Sequence, residues 1–309
     1  MSRSSASGRQ AIDGVILLDK PLGMSSNALL QKVKWLLQAE KAGHTGSLDP
    51  LASGVLPLCF GEATKFAQYL LDSDKTYVVE MVLGRRSTTL DAEGELSAPQ
   101  AWPHLNDTEV EAVLQRFRGA QAQIPPMYSA LKRDGVPLYR LARRGEEVER
   151  AARQVHIHAL VLRARHEERW VLEVCCSKGT YIRSLVDDIG QELGCGAYVG
   201  ALRRTGVGPY EEAGICSLPT LLAAHERGES LRGYLLPVDS ALQGWPRLAI
   251  CDEFAYNLQR GQRPGPVAAV PGLYAVYRAQ TLIGIARVDA AGYLRAERML
   301  RTDREMTLP

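Results

Sequence analysis

The 309-residue sequence predicts an α+β fold in two parts, a length too great for one small domain. Three observations carry this. Gly14 to Lys20, Thr76 to Leu83, Val155 to Arg163 and Trp170 to Cys176 read as strands. Two other stretches place apolar residues at helical spacing, at 29, 30, 33, 36 and 37, and at Ile182, Leu185, Val186, Ile189 and Leu193. From about Leu248 the texture changes: residues 247–309 hold nine arginines, six acids and no lysine, with three short strand-like runs between glycines and prolines.

Taken in order, Met1 to Gln10 is polar and Ser-rich, and reads as a disordered tail. Gly14 to Lys20 is an apolar run of buried-strand type that ends in the turn Pro21-Leu22-Gly23; Ser25 or Ser26 then caps the first helix. Gly43 to Leu58 is contradictory. Its three glycines and two prolines forbid a regular helix, while the aliphatic residues of its second half ask for burial. The stretch therefore reads as a loop taken inside the protein, with Asp49 held extended by Pro50 beside an apolar wall. Asp-Pro is also a common turn starter, and that is the plainer reading.

Glu62 to Leu71 reads as a short helix. Thr76 to Leu83 alternates, with Tyr77, Val79, Met81 and Leu83 on one face, as in a half-buried strand. Tyr77 serves equally well there as a core aromatic. Arg85 to Pro99 is a loop in which Asp91-Ala92-Glu93-Gly94 marks a turn, and Thr108 to Arg118 has helical spacing. Residues 132–153 carry local charge: seven cations, among them Lys132, Arg143, Arg144 and Arg150, face four acids. Such a run is commonly a solvated face, but Tyr128 and Tyr139 beside it give the mixture that grips and stacks on nucleic acid. His156 and His158 share one strand face, where two imidazoles could hold a metal; no third ligand stands at suitable spacing. Arg183 lies in the first turn of its helix, where the macrodipole disfavours a cation, so it calls for an anionic partner. Asp49, equally awkward in an apolar loop, is the expected one.

Composition excludes several classes. The formal net charge is +2, so a nucleic-acid partner would need a local patch. None of the six cysteines forms a C-x-x-C pair, which fits a reducing compartment and supports neither a zinc site nor a disulfide framework. No run approaches the eighteen apolar residues of a membrane helix, and there is no P-loop or dinucleotide fingerprint. The expectation is a soluble cytoplasmic protein with no metal and no cofactor.

The stretch Gly43-His44-Thr45-Gly46-Ser47-Leu48-Asp49-Pro50-Leu51-Ala52-Ser53-Gly54-Val55-Leu56-Pro57 resembles the catalytic loop of the TruB family, the bacterial tRNA pseudouridine-55 synthases. Asp19-Lys20-Pro21-Leu22-Gly23, Asp74-Lys75-Thr76-Tyr77, the phrase from Lys178 to Gly190 and Leu202-Arg203-Arg204 are similar to further motifs of the family. Ser47 stands where the family often has Thr. The resemblance implies a central mixed, largely antiparallel sheet flanked by helices over residues 11–246, and a small PUA-type β domain over 247–309. It implies that 124–153 is an insertion closing over the T arm of tRNA, with Lys132, Arg143 and Arg144 gripping RNA.

The implied reaction converts uridine to pseudouridine at position 55, after the base is flipped out of its loop. Asp49 would be the catalytic carboxylate, attacking C1′ or C6 or taking the C2′ proton. Arg183 would orient it and Tyr77 would stack on the base. His44 would hold the space the base leaves, Leu202 would line the pocket wall, and Tyr181 and Lys20 would lie close to the substrate. A monomer needing no protein partner is expected. A guide-RNA-dependent relative and a tRNA folding chaperone are the alternatives; a glycosidase would want a second acid, and none stands out.

Overall fold

A computed structural model describes residues 8–301. Of the expected disordered tail, residues 1–7 lie outside the described residues, whereas Gln10 is fixed by backbone bonds to Gln38 and Glu40. The chain opens with β1 (Gly14–Lys20), α1 (Ser26–Leu36), β2 (Ala42–His44) and β3 (Ala52–Phe60). Next come α2 (Ala67–Asp72), β4 (Lys75–Leu83), α3 (Asp107–Arg116) and β5 (Gly119–Gln123). A small excursion, β6 (Lys132–Arg133), β7 (Val136–Pro137) and α4 (Leu138–Ala142), precedes the long hairpin β8 (Arg153–His166) and β9 (Arg169–Cys176). Then follow α5 (Ile182–Glu192), β10 (Ala197–Val207), β11 (Tyr210–Glu211), β12 (Cys216–Ser217) and α6 (Leu218–Glu226).

The main sheet runs β12-β1-β3-β10-β4-β9-β8-β5, with β11 beside β10 and β2 beside β3. Its β1–β12 and β3–β10 pairings are parallel and the others antiparallel. This is the mixed, largely antiparallel α+β sheet that was expected. α3 and α5 cover β4, β9 and β10 through Val110, Leu114, Leu185 and Ile189 against Val79, Met81 and Leu172. α1 and α6 cover one face of β1 and β3 through Leu29, Val33 and Leu221 against Ile16, Leu18, Leu56 and Leu58. The opposite face of these strands, Val15, Leu17, Val55 and Cys59, is buried as well. Burial on both faces explains why β1 and β3 are nearly continuous apolar runs.

Here the reading of residues 43–58 as a loop is corrected, because its second half is the central strand β3. A proline and a glycine inside a strand hid it, and both have local reasons. β3 pairs with β1 over residues 54–60, but its other edge meets β10 at 52–54 and β2 at 58–60. Pro57, which has no N–H to give, lies between those two segments. Gly54, at φ +103°, lets β10 approach: a Cβ there would stand 2.1 Å from the Arg204 carbonyl oxygen.

The C-terminal segment forms a second sheet, β13 (Arg247–Ile250), β14 (Gly272–Arg278), β15 (Thr281–Val288) and β16 (Leu294–Met299), in that order, with α7 (Asp252–Gln259) against it. The three expected strand runs are there; β13 and α7 add to them. Ala275, Tyr277, Leu282 and Ile285 join Val15, Leu17 and Val55 in one buried cluster, so the two sheets share a core. Among the described residues no helix is long and apolar enough to cross a membrane. All six cysteines are free.

Candidate active site

Residues 45–51, between β2 and β3, carry Asp49. A loop held inside a protein must satisfy its own polar groups, and this one does so through its neighbours. Ser26 Oγ accepts from the Leu48 N–H at 2.8 Å and donates to its carbonyl at 3.2 Å. Gly23 N–H donates to Pro50 O, Thr45 N–H to Pro57 O and Ala52 N–H to Asp49 O. Ser25 is the N-cap of α1, which leaves Ser26 free for this second task. The fixed loop presents the Asp49 side chain 43% exposed, at the wall of a cleft of about 270 Å³.

Arg183 answers it from α5. Its Nη2 lies 2.7 Å from Asp49 Oδ2 and donates to Tyr128 O at 2.6 Å. Its Nη1 donates to Thr89 O and to Asp91 Oδ2, each at 3.1 Å. The expected Asp49–Arg183 contact across 134 positions is therefore present, and Arg183 carries two carboxylates rather than one. Asp91, read from sequence as a turn residue, is only 3% exposed in its side chain. It faces Arg183 and is not among the cleft-lining residues, so it does not supply the second open acid of a glycosidase pair. The start of α5 is fixed by Gln123, whose side chain accepts from Tyr181 N–H and donates to Tyr181 O, and by Ser184 Oγ, which donates to Ile124 O.

Tyr77 on β4, Tyr181 at the N-cap of α5 and Leu202 on β10 line the same cleft as Asp49 and Arg183. Burial raises the Tyr77 phenol above its ordinary value; the charge of Arg204 and a hydrogen bond from it work the other way. Burial likewise raises Tyr181. Arg204 itself is only 1% exposed and was not singled out from sequence. It stands opposite Tyr77 in the β4–β10 register, and donates to Val55 O from Nε and to Gly46 O from Nη2. It thus ties β10 to both ends of the Asp49 segment. Lys75, also in the cleft, caps the end of α2 through Leu70 O and Leu71 O; burial pulls it down to about 8.

Other expected site residues lie further off. Lys20 is fully buried and donates to Pro21 O and Ala52 O; burial lowers it to about 8, with Asp49 acting to raise it. His44, on β2, is not among the cleft-lining residues; burial, then the charge of Arg204, lowers its pKa. Its Nδ1 has no hydrogen-bond partner among the described residues. Lys132, Arg143 and Arg144 are exposed on the 124–153 segment, away from the cleft walls. Arg143 lies over the Tyr139 ring at 5.6 Å. Arg150 differs from them, because it donates to Pro125 O and so braces the segment. His158 stands 3.2 Å from Asp74, and among the described residues no group of three His, Cys, Asp or Glu could hold a metal ion.

The arrangement offers one partly open carboxylate oriented by a buried guanidinium, with an aromatic ring and an aliphatic wall beside it. Residues 34–182 match the family model described as "TruB family pseudouridylate synthase (N terminal domain)", and 183–243 match "tRNA pseudouridylate synthase B C-terminal domain". The chain is 54% identical over 299 residues to the tRNA pseudouridine synthase B of Pseudomonas putida strain F1, covering 96% of this chain and 98% of the relative. It is 53% identical over 298 residues to that of Pseudomonas aeruginosa strain UCBPP-PA14, covering 95% and 98%. Among solved structures it resembles a Cbf5-Nop10-Gar1 complex chain, with TM-score 0.73 and 27% identity over 93% of this chain and 84% of that one. An H/ACA RNP bound to a substrate RNA gives TM-score 0.73 and 25% identity, over 94% and 86%. On both the family models and the near full-length identities, the chain belongs to the TruB family of pseudouridylate synthases.

Proposed function

We propose that this protein converts uridine 55 in the T loop of tRNA to pseudouridine. The observation that carries the reading is the Asp49 carboxylate, held at the cleft wall by Arg183 and flanked by Tyr77 and Leu202. The near-complete identity span with tRNA pseudouridine synthase B supports tRNA as the substrate. In the reaction the N1–C1′ bond breaks, the base rotates and a C5–C1′ bond forms; the C5 proton leaves and N1 gains one. Nothing is oxidised or reduced. Asp49 supplies the negative charge, as nucleophile or as base, and must be ionised to act. Two charge-assisted bonds on Arg183 fix the guanidinium that orients it.

A uridine stacked inside a folded loop cannot reach such a cleft, so the base is flipped out and stacks on Tyr77. Tyr181 and Leu202 close the pocket round it, while Lys20 and His44 support the loop behind. Lys132, Arg143 and Arg144 meet phosphates of the T arm. Residues 11–246 form the catalytic domain and 247–309 a PUA-type domain that adds RNA affinity. The protein works in the cytoplasm as a monomer with no protein partner and no cofactor.

The likeness to Cbf5 complexes favours one second reading, a subunit that needs partner proteins and a guide RNA. A single experiment separates them: purified protein alone is incubated with an unmodified T-arm hairpin and pseudouridine is mapped. Modification at position 55 is the expected result. No modification without added partners would favour the second reading.

A further inference from the structure

Arg183 is gripped by the segment 85–99, so whatever docks that segment on α5 also sets the active carboxylate. The segment is under strain next to its key residue. Leu90, immediately before Asp91, has φ +64°, a left-handed conformation that a bulky L residue adopts only when its surroundings hold it. Among the contacts that hold it, three reach β10 and α5. Val199 N–H on β10 donates to Leu90 O at 3.1 Å. Arg183 donates to Thr89 O and Asp91. The third, at the base of the segment, is Arg86, whose Nε and Nη2 meet Asp187 Oδ1 and Oδ2 at 2.9 and 2.8 Å.

Asp187 follows Arg183 by four residues on α5, so both project from one helix face. The helix therefore meets the segment with two ion pairs of opposite sense. Its cation takes Asp91 and its anion takes Arg86. The Arg86–Asp187 pair is two-pronged, Asp187 is only 8% exposed, and Gln191 donates to the same carboxylate at 2.8 Å. Room for the Arg86 stem is made by Gly196, where a Cβ would stand 2.6 Å from Arg86 Cγ. Neither residue lines the cleft.

We propose that Arg86 and Asp187 are positioning residues of the isomerase: their ion pair docks the strained 85–99 segment, so that Thr89 and Asp91 hold the Arg183 guanidinium in the plane that serves Asp49. The inference rests on the isomerase reading, and its test includes a readout that does not depend on it. Arg86→Gln, Asp187→Asn, the double variant and Arg86→Lys are compared with wild type in the full-length protein. Hydrogen exchange at the Val199 amide reports whether Leu90 stays docked. Single-turnover rate at saturating enzyme and affinity for the T-arm hairpin are measured beside it.

Either neutral variant is expected to speed Val199 exchange and lower the single-turnover rate about tenfold, as loss of a precise orientation does, with affinity unchanged. The double variant should be no worse than the singles, because the two residues act as one unit. Arg86→Lys should recover part of the rate. Unchanged exchange and rate in the neutral variants would overturn the proposal. So would faster exchange with an unchanged rate, which would make the pair a fold contact only, or a rate loss that merely follows the unfolded fraction in a thermal melt. An inactive wild type with responsive exchange would instead count against the isomerase reading.

Discussion

Arg183→Lys separates the shape of the guanidinium from its charge. In the structure one terminal nitrogen serves Asp49 and Tyr128 O, and the other serves Asp91 and Thr89 O. A lysine ammonium is a single point with three donors and cannot span both prongs. At least two hydrogen bonds to charged groups are lost, each contributing about 1.5–3 kcal/mol. Asp91, almost fully buried, is then left short of its partner, a loss of the kind that costs about 3–5 kcal/mol. If about 3–4 kcal/mol of this is felt in the transition state, the rate falls roughly 100- to 1,000-fold at about 1.4 kcal/mol per decade. The assay is single-turnover formation of pseudouridine in a T-arm hairpin at saturating enzyme, with affinity measured separately. Affinity should hold, since Arg183 lines the cleft with only 4% of its surface exposed and offers little to bound RNA. A lysine variant within about threefold of wild type would refute the two-pronged argument.

Further outcomes follow from the same geometry. Neutralising Lys132, Arg143 and Arg144 together should weaken RNA binding and flatten its dependence on salt, by about one unit of log–log slope for each phosphate contact removed; Arg150 is left in place because it braces Pro125. An unchanged salt slope would mean that these side chains touch no phosphate. Lys20 has a folded pKa of about 8 against an ordinary 10.5, so between those values the unfolded chain holds a proton that the folded one has shed, and stability rises with pH. Lys20→Met should therefore lose about 2 kcal/mol relative to wild type between pH 8 and 10 in urea unfolding, while a constant difference would contradict the shift. Gly54→Ala should destabilise by about 3 kcal/mol or more, because its Cβ would stand 2.1 Å from Arg204 O at a positive φ; an unaltered denaturation midpoint would deny that close approach.

Much of the framework was legible because it is local. The helix stripes at 29–37 and 182–193, the alternation at 76–83 and the apolar hairpin strands follow from side-chain period alone. What escaped is what depends on neighbours. β3 carries a proline that only its change of partner strand permits. β10, next to it, has irregularities between Val199 and Ala201 and between Arg204 and Gly206, and the first of these reverses the parity of buried positions. Asp49 and Arg183 could be paired from sequence because each is unfavourable where it stands. Asp91 gave no such sign, since an aspartate in a Thr- and Gly-rich turn looks well placed; only the approach of α5 makes it a ligand of Arg183. Arg204 shared that fate, its charge being answered by carbonyl groups 149 and 158 positions away along the chain, which no local sequence pattern reveals.

If the isomerisation depends on the Asp49 carboxylate, Asp49→Asn should abolish it. The exchange preserves shape and removes the charge, leaving Arg183 its bonds to Asp91, Thr89 O and Tyr128 O. Full-length unmodified tRNA is incubated with wild-type and variant protein, each without partners, and pseudouridine is mapped along the whole RNA. Modification at position 55 is expected from wild type and none above background from the variant, with equal affinity for tRNA. Pseudouridine formed by Asp49→Asn at a rate near that of wild type would contradict it.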